Sequence, residues 1–169
     1  MYGMVRTENE MRRFRNMYDA GAIRRFHTTR AIRDQSVGEH SWGVAVILTK
    51  ICLPSPVLLT AALYHDMAEL HTGDVPSTAK WASKSLKKAL DLSEHHFEVL
   101  HGIVIDLSVE ERRLLKWADM FELCLYANTE IEMGNSLMQV PLVNGLGWIK
   151  DKGFPTPAAK ALFMEYFCE

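Results

Sequence analysis

Cysteine is scarce and unpaired in this chain. Cys52, Cys124 and Cys168 stand far apart with no CxxC spacing, and an odd, scattered set fits reduced thiols rather than a disulfide framework. That pattern points to the cytoplasm. Charge of one sign is also missing: 19 basic and 21 acidic residues leave a formal charge of -2 and a pI near 6.4. A clustered basic excess of the kind that grips duplex nucleic acid is thereby excluded, while small anionic substrates stay open. No apolar run reaches the length of a membrane span, and the opening stretch MYGMVRTENEMRRFR lacks the apolar centre of a secretion signal. We therefore expect neither a membrane anchor nor a nucleic-acid partner. Alternating β-branched residues are almost absent, which argues against a sheet.

What is present is helix punctuation. The 169 residues, 48% hydrophobic and 24% charged, suit one domain spanning 1–169. TENEMRRFRNMYDAG reads as a polar first helix stopped at Gly21, followed by an irregular connection, AIRRFHTTRAIRDQ. Ser36 and Glu39 form an S-x-x-E capping box in front of a helix that Pro54 closes, and Ser108 with Glu111 repeats the device before the longest helix, which runs to Gly134. Ser55-Pro56 opens a helix expected to continue through SPVLLTAALYHDMAELH, with a loop at Gly73 and Pro76 after it. SKSLKKALDLSEHHFEVLHG is amphipathic through Leu86, Leu90, Phe97 and Leu100. VPLVNGLGWIKDKGFP should be broken by its glycines, and Thr156-Pro157 caps a last helix. The fold class is all-α.

Ionisable residues interrupt this apolar pattern. Residues three and four apart share a helical face, so His65 lies with Ala61, Ala62, Ala68 and Glu69, and Asp66 lies beside Ala62 and Leu70. Asp119 has Leu115 and Leu123 on its stripe with Lys116 as its only cationic helical neighbour, and His40 lies between Val37 and Val44. Unpartnered buried charge costs several kcal/mol or is neutralised, so such groups are paired or bind a metal. Two imidazoles and two carboxylates suit Mn, Fe, Co, Ni or Zn better than Mg or Ca. Taken singly, each also fits a hydrogen-bonded core histidine or a helix-helix salt bridge.

His40, the adjacent His65-Asp66 pair and the distant Asp119 resemble, in order, the signature of HD-domain phosphohydrolases. IRRFHTTRAIRDQSVGEHS and LYHDMAELHTGDVP are similar to segments of the bacterial 5'-deoxynucleotidases in that superfamily. RRFH, TAKW and LLKWAD are similar to the small phage HD-domain dATP triphosphohydrolases, the DatZ group. The resemblance covers roughly residues 20–135 and implies an HD-domain helical bundle, with the helices of 136–169 packing on it. It further implies that His40, His65, Asp66 and Asp119 hold a divalent transition metal (Zn, Co, Mn, Fe or Ni), with Mg admitted for a triphosphate substrate. Glu69 would activate or orient the attacking water, and Asp74 would act nearby as an acid or a substrate contact. Arg25 matches the phosphate-clamping arginine, a planar fork suited to phosphate, and Phe26 replaces the tryptophan common there.

Lys80 and Lys116 could each meet a phosphate tail. With the short chain they favour a dATP triphosphohydrolase, releasing deoxyadenosine and triphosphate, ahead of a 5'-deoxynucleotidase acting on dNMPs or a non-catalytic nucleotide-binding HD domain. A homo-oligomer is expected, with Met133, Met138, Trp148 and Phe163 as interface or core. The expected location is the cytoplasm, the host's for a phage protein.

Overall fold

The computed structural model describes residues 7–168. The polar start Met1–Arg6 and Glu169 lie outside the described residues, as do the side chains of Ser77, Thr78 and Trp81 around the TAKW segment. Among the described residues the only ladder pairing is a single antiparallel bridge between Arg24 and Ser36, and every longer element is helical.

Capping residues set the helix starts. Thr7 with Glu10, Ser36 with Glu39 and Ser108 with Glu111 close reciprocal boxes in front of α1 (Glu8–Ala20), α2 (Val37–Ile51) and α7 (Val109–Glu132), each satisfying two N–H groups that the helix leaves free. Ser55 and Thr156 each precede a proline at the first turn, opening α3 (Pro56–Tyr64) and α9 (Pro157–Phe167). Between them lie α4 (Glu69–Thr72), α5 (Ser77–Ala82) and α6 (Lys84–His101), and a 3-10 turn at Ser136–Met138 leads into α8 (Gln139–Lys152).

The core gathers Val44 and Leu48 of α2, Leu58 and Ala62 of α3, Trp117 and Phe121 of α7, Ile149 of α8 and Phe163 of α9. Trp117 and Phe121 stack with centroids 4.8 Å apart. Met138 and Phe163 are core residues, whereas Met133 is exposed.

Two local expectations are corrected. The helix opened by Pro56 stops at Tyr64 instead of continuing through His71: Met67 N–H bonds Tyr64 O, and Glu69 N–H bonds Asp66 O. These tighter i→i−3 bonds wind His65–Ala68 more closely than an α-helix and re-aim its side chains. Gly145 and Gly147 do not break α8, which ends only at Gly153 with φ 73. Gly145 faces Cys124 where α7 and α8 cross, and a Cβ there would fall 2.6 Å from Cys124 Sγ, so glycine permits close helix packing. The apolar residues of α6 are largely uncovered: Leu86 and Leu100 are exposed, and His101 alone is buried among those described in that helix.

Residues 22–35 return to the site on an anchored loop. Arg25 N–H bonds Gln35 O at 2.8 Å, and Val37 N–H bonds Ile23 O at 2.8 Å. The fully buried Glu130 carboxylate accepts from Ile32 N–H (2.7 Å), Arg33 N–H (2.8 Å) and Asn135 Nδ2 (2.7 Å), and Tyr126 OH donates to Arg33 O at 2.6 Å. Glu130→Ala would strip the acceptor from three donors. Denaturant unfolding of that variant should show a loss of about 3 kcal/mol or more, with Glu130→Gln losing less.

Candidate metal and phosphate site

The end of α3, the start of α2 and the middle of α7 bring four side chains to one point. His40 Nε2 is 3.3 Å from His65 Nε2, 3.2 Å from Asp119 Oδ1 and 3.6 Å from Asp66 Oδ2, and His65 Nε2 is 3.5 Å from Asp66 Oδ2. His40, His65 and Asp119 each offer a ligand atom within 4.8 Å of the others. Asp66 Oδ2 also holds Arg25 Nη1 at 2.6 Å, so this carboxylate stands between the cluster and the guanidinium.

The two imidazoles have fixed tautomers. His65 Nδ1 lies 2.9 Å from Ala62 O, a carbonyl that only accepts, so Nδ1 carries the proton. His40 Nδ1 faces the Glu122 carboxylate, which assigns its proton in the same way. A neutral His40 thus turns its Nε2 lone pair toward that of His65; without a cation between them, His40 Nε2 instead carries a proton toward Asp119 Oδ1, 3.2 Å away. Burial alone would lower His40, yet Asp119 and Glu122 outweigh it and raise the imidazole to about 9. Burial would likewise raise Asp119, but Lys116, then His40 and His65, hold it well below the ordinary carboxylate range. Two imidazole nitrogens and carboxylate oxygens at this spacing are a donor set suited to a first-row divalent ion.

Around this cluster, Arg25 is buried, and its Nε has no hydrogen-bond partner among the described residues. Glu69, the first residue of α4, is buried with Oε2 equally unpartnered. Burial, then Asp66 and Asp74, push its carboxyl up to about 8. Asp74 Oδ2 accepts the Phe26 N–H at 2.8 Å and so holds Phe26 at φ 53, a left-handed conformation that bulky residues rarely adopt. Asp74 thus fixes the turn that carries Arg25. The Phe26 ring stacks on Tyr126 with centroids 5.1 Å apart. Lys116 Nζ meets Asp119 Oδ2 at 2.7 Å from an exposed position, and Lys80 Nζ is 3.8 Å from Glu94 while acting on Glu69 through its charge. Each lysine therefore has a carboxylate of its own.

Glu122 and Gln35 were not anticipated. Glu122 follows Asp119 by three residues on α7, so it was discoverable as a same-face neighbour, but the apolar Leu115 and Leu123 dominated that stripe. Gln35 belongs to an irregular segment whose sequence carries no periodic signal.

Comparison with known proteins identifies the lineage. The profile of the YfbR-like 5'-deoxynucleotidases matches residues 13–100, just over half of the chain. The chain belongs to this family. The match includes His40, His65, Asp66, Glu69 and Asp74 and ends before Asp119. A 5'-deoxynucleotidase of Enterobacter sp. (strain 638) is 27% identical over 141 residues, covering 68% of this chain and 70% of the relative. The 5'-deoxynucleotidase YfbR of Salmonella arizonae is 26% identical over 141 residues with the same coverage, 68% and 70%. In structure, an HD-domain phosphohydrolase of Listeria innocua superposes with TM-score 0.72 at 21% identity, over 93% of this chain and 86% of the other. The HD phosphohydrolase DatZ of cyanophage S-2L, solved with dA and one catalytic Zn2+ ion, gives TM-score 0.69 at 20% identity, over 89% and 94%. The fold of this family member is that of the HD-domain phosphohydrolases.

Chelator-treated protein titrated with Zn2+ or Mn2+ should bind the ion. His65→Ala or Asp119→Ala should weaken binding by more than about 100-fold, beyond what loss of an outer partner costs. Because His40 titrates at about 9 without the ion, uptake near neutral pH displaces a proton, and affinity should rise between about pH 6 and pH 9. Calorimetry in buffers of different ionisation enthalpy reads both effects.

Proposed function

We propose that this chain is a metal-dependent phosphohydrolase of 5'-deoxynucleotides, a single HD domain in which His40, His65, Asp66 and Asp119 hold the ion. The observation that carries the reading is the pair of inward Nε2 atoms with two carboxylates beside them, flanked by a buried arginine and a buried glutamate. A cation bound there supplies Lewis acidity toward a phosphoryl oxygen and acidifies water. Arg25, steadied by Asp66 through one nitrogen, offers the rest of its fork to the phosphate and offsets charge that builds during in-line attack. Glu69, buried with Oε2 unpartnered, takes the proton of the attacking water at Oε2 and returns it to the departing oxygen. Asp74 holds the Phe26 turn that aims Arg25, and Phe26, backed by Tyr126, forms an aromatic wall for the nucleoside.

Family membership supports a deoxynucleoside monophosphate as first substrate, hydrolysed to the deoxynucleoside and orthophosphate. The second reading, dATP cleaved to deoxyadenosine and triphosphate, draws support from the exposed Lys116 at the rim and Lys80 near Glu69, both within reach of the site's field. The dA bound by the cyanophage relative also favours an adenine nucleotide. Such an enzyme belongs in the cytoplasm, and a homo-oligomer fits the exposed Met133, Val140 and Val143.

A product assay across dNMPs and dNTPs with Mn2+, Co2+, Zn2+ and Mg2+ separates the readings: orthophosphate from dNMP supports the first, and triphosphate from dATP the second. Absence of turnover with every pair contradicts both. Glu69→Gln should lower kcat by about 100- to 10,000-fold while leaving metal affinity near that of the parent.

A further inference from the structure

The carboxylate that meets His40 from behind has no role in the scheme above. Glu122 and Gln35 are buried, and His40 is fully so. Both carboxylate oxygens are used: Oε1 accepts from Gln35 Nε2 at 2.7 Å, and Oε2 faces His40 Nδ1. No lysine or arginine forms a salt bridge with Glu122 among the described residues; its direct partners are His40 and Gln35, and Arg25 acts on it only through charge. The α2 helix makes room for it. A Cβ at Gly43 would lie 2.8 Å from Glu122 Cγ, closer than packed carbons approach. Gln35 reaches in two directions, because its main-chain oxygen accepts Arg25 N–H at 2.8 Å while its amide holds Glu122.

We infer that Glu122, anchored by Gln35, is a positioning residue of the metal site, fixing the His40 ring with its proton on Nδ1 and its Nε2 lone pair toward the ion. A carboxylate behind a ligating imidazole sets the tautomer, locks the ring plane and strengthens Nε2 as a donor. The same chain of contacts, from Arg25 backbone through Gln35 and Glu122 to His40, places the phosphate arginine in register with the metal shell. This inference rests on the metal reading of the site.

The test compares Glu122→Gln with the parent in Zn2+ competition against a chromogenic chelator, together with thermal melting of the chelator-treated protein. A glutamine offers one oxygen and one amide, so it serves both His40 Nδ1–H and Gln35 only if the Gln35 amide turns over, which leaves the buried Gln35 Nε2 without its acceptor. Zn2+ affinity should fall by about 10- to 100-fold. Parent-like affinity in the folded variant would overturn the inference and leave Glu122 as a tether between α2 and α7. The exchanged pair Gln35→Glu with Glu122→Gln restores a donor toward residue 35 and an acceptor toward His40. Its affinity should return to within about tenfold of the parent; a pair that binds as weakly as Glu122→Gln, or not at all, overturns the inference too. The pair carries the test alone if Glu122→Gln does not fold. A parent protein that binds neither Zn2+ nor Mn2+ overturns the metal reading itself, a result distinct from the other two.

Discussion

Two imidazole nitrogens 3.3 Å apart, each with its other ring nitrogen committed elsewhere, are the constraint on which the site turns. Neutral rings in this arrangement repel through facing lone pairs, and the two nearby carboxylates attract any positive charge placed between them. Folding these groups together without a cation leaves the proton on His40 as the compensating charge, consistent with its raised pKa. The buried pair is therefore costly as a purely structural device. Its geometry makes sense as one half of a complex.

The α7 helix organises what surrounds that pair. Asp119, Glu122, Tyr126 and Glu130 recur at three- and four-residue steps, so they lie along one face. In order they supply a carboxylate to the cluster, the partner behind His40, the ring on which Phe26 rests and the anchor of the loop that delivers Arg25. A helix of 24 residues started by a closed capping box and pinned by stacked Trp117 and Phe121 is a rigid carrier for such a row. The loop of residues 22–35 has little regular structure of its own, and its register comes from Glu130 and the single bridge at Arg24.

Much of this was legible in the residues. The S-x-x-E boxes and the Ser-Pro and Thr-Pro starts act through local hydrogen bonds and fixed φ, so helix starts followed directly from sequence. The HD-type order of His40, His65, Asp66 and Asp119 marked the site because ionisable groups on apolar faces need partners. What escaped notice depends on long-range packing. The glycines near 145 signalled a break, yet the crossing of α7 and α8 uses Gly145 for close approach. Helical spacing placed His65 and Glu69 on one face, but the chain tightens between Tyr64 and Ala68, and each group reaches the site by a different backbone path. Asp74 was expected to act on substrate or proton, and its contact with Phe26 N–H is a backbone interaction that no side-chain pattern announces. Glu122 and Gln35 meet across 87 residues of chain, a separation that local spacing does not bridge.

The most direct measurement is X-ray absorption at the Zn K-edge on protein loaded with one equivalent of Zn2+. The account predicts a first shell of nitrogen and oxygen near 2.0–2.1 Å, with multiple-scattering features of about two imidazoles and no sulfur, falling to about one imidazole in His40→Ala. A shell built from the cysteines, or one with no imidazole signature, would contradict it.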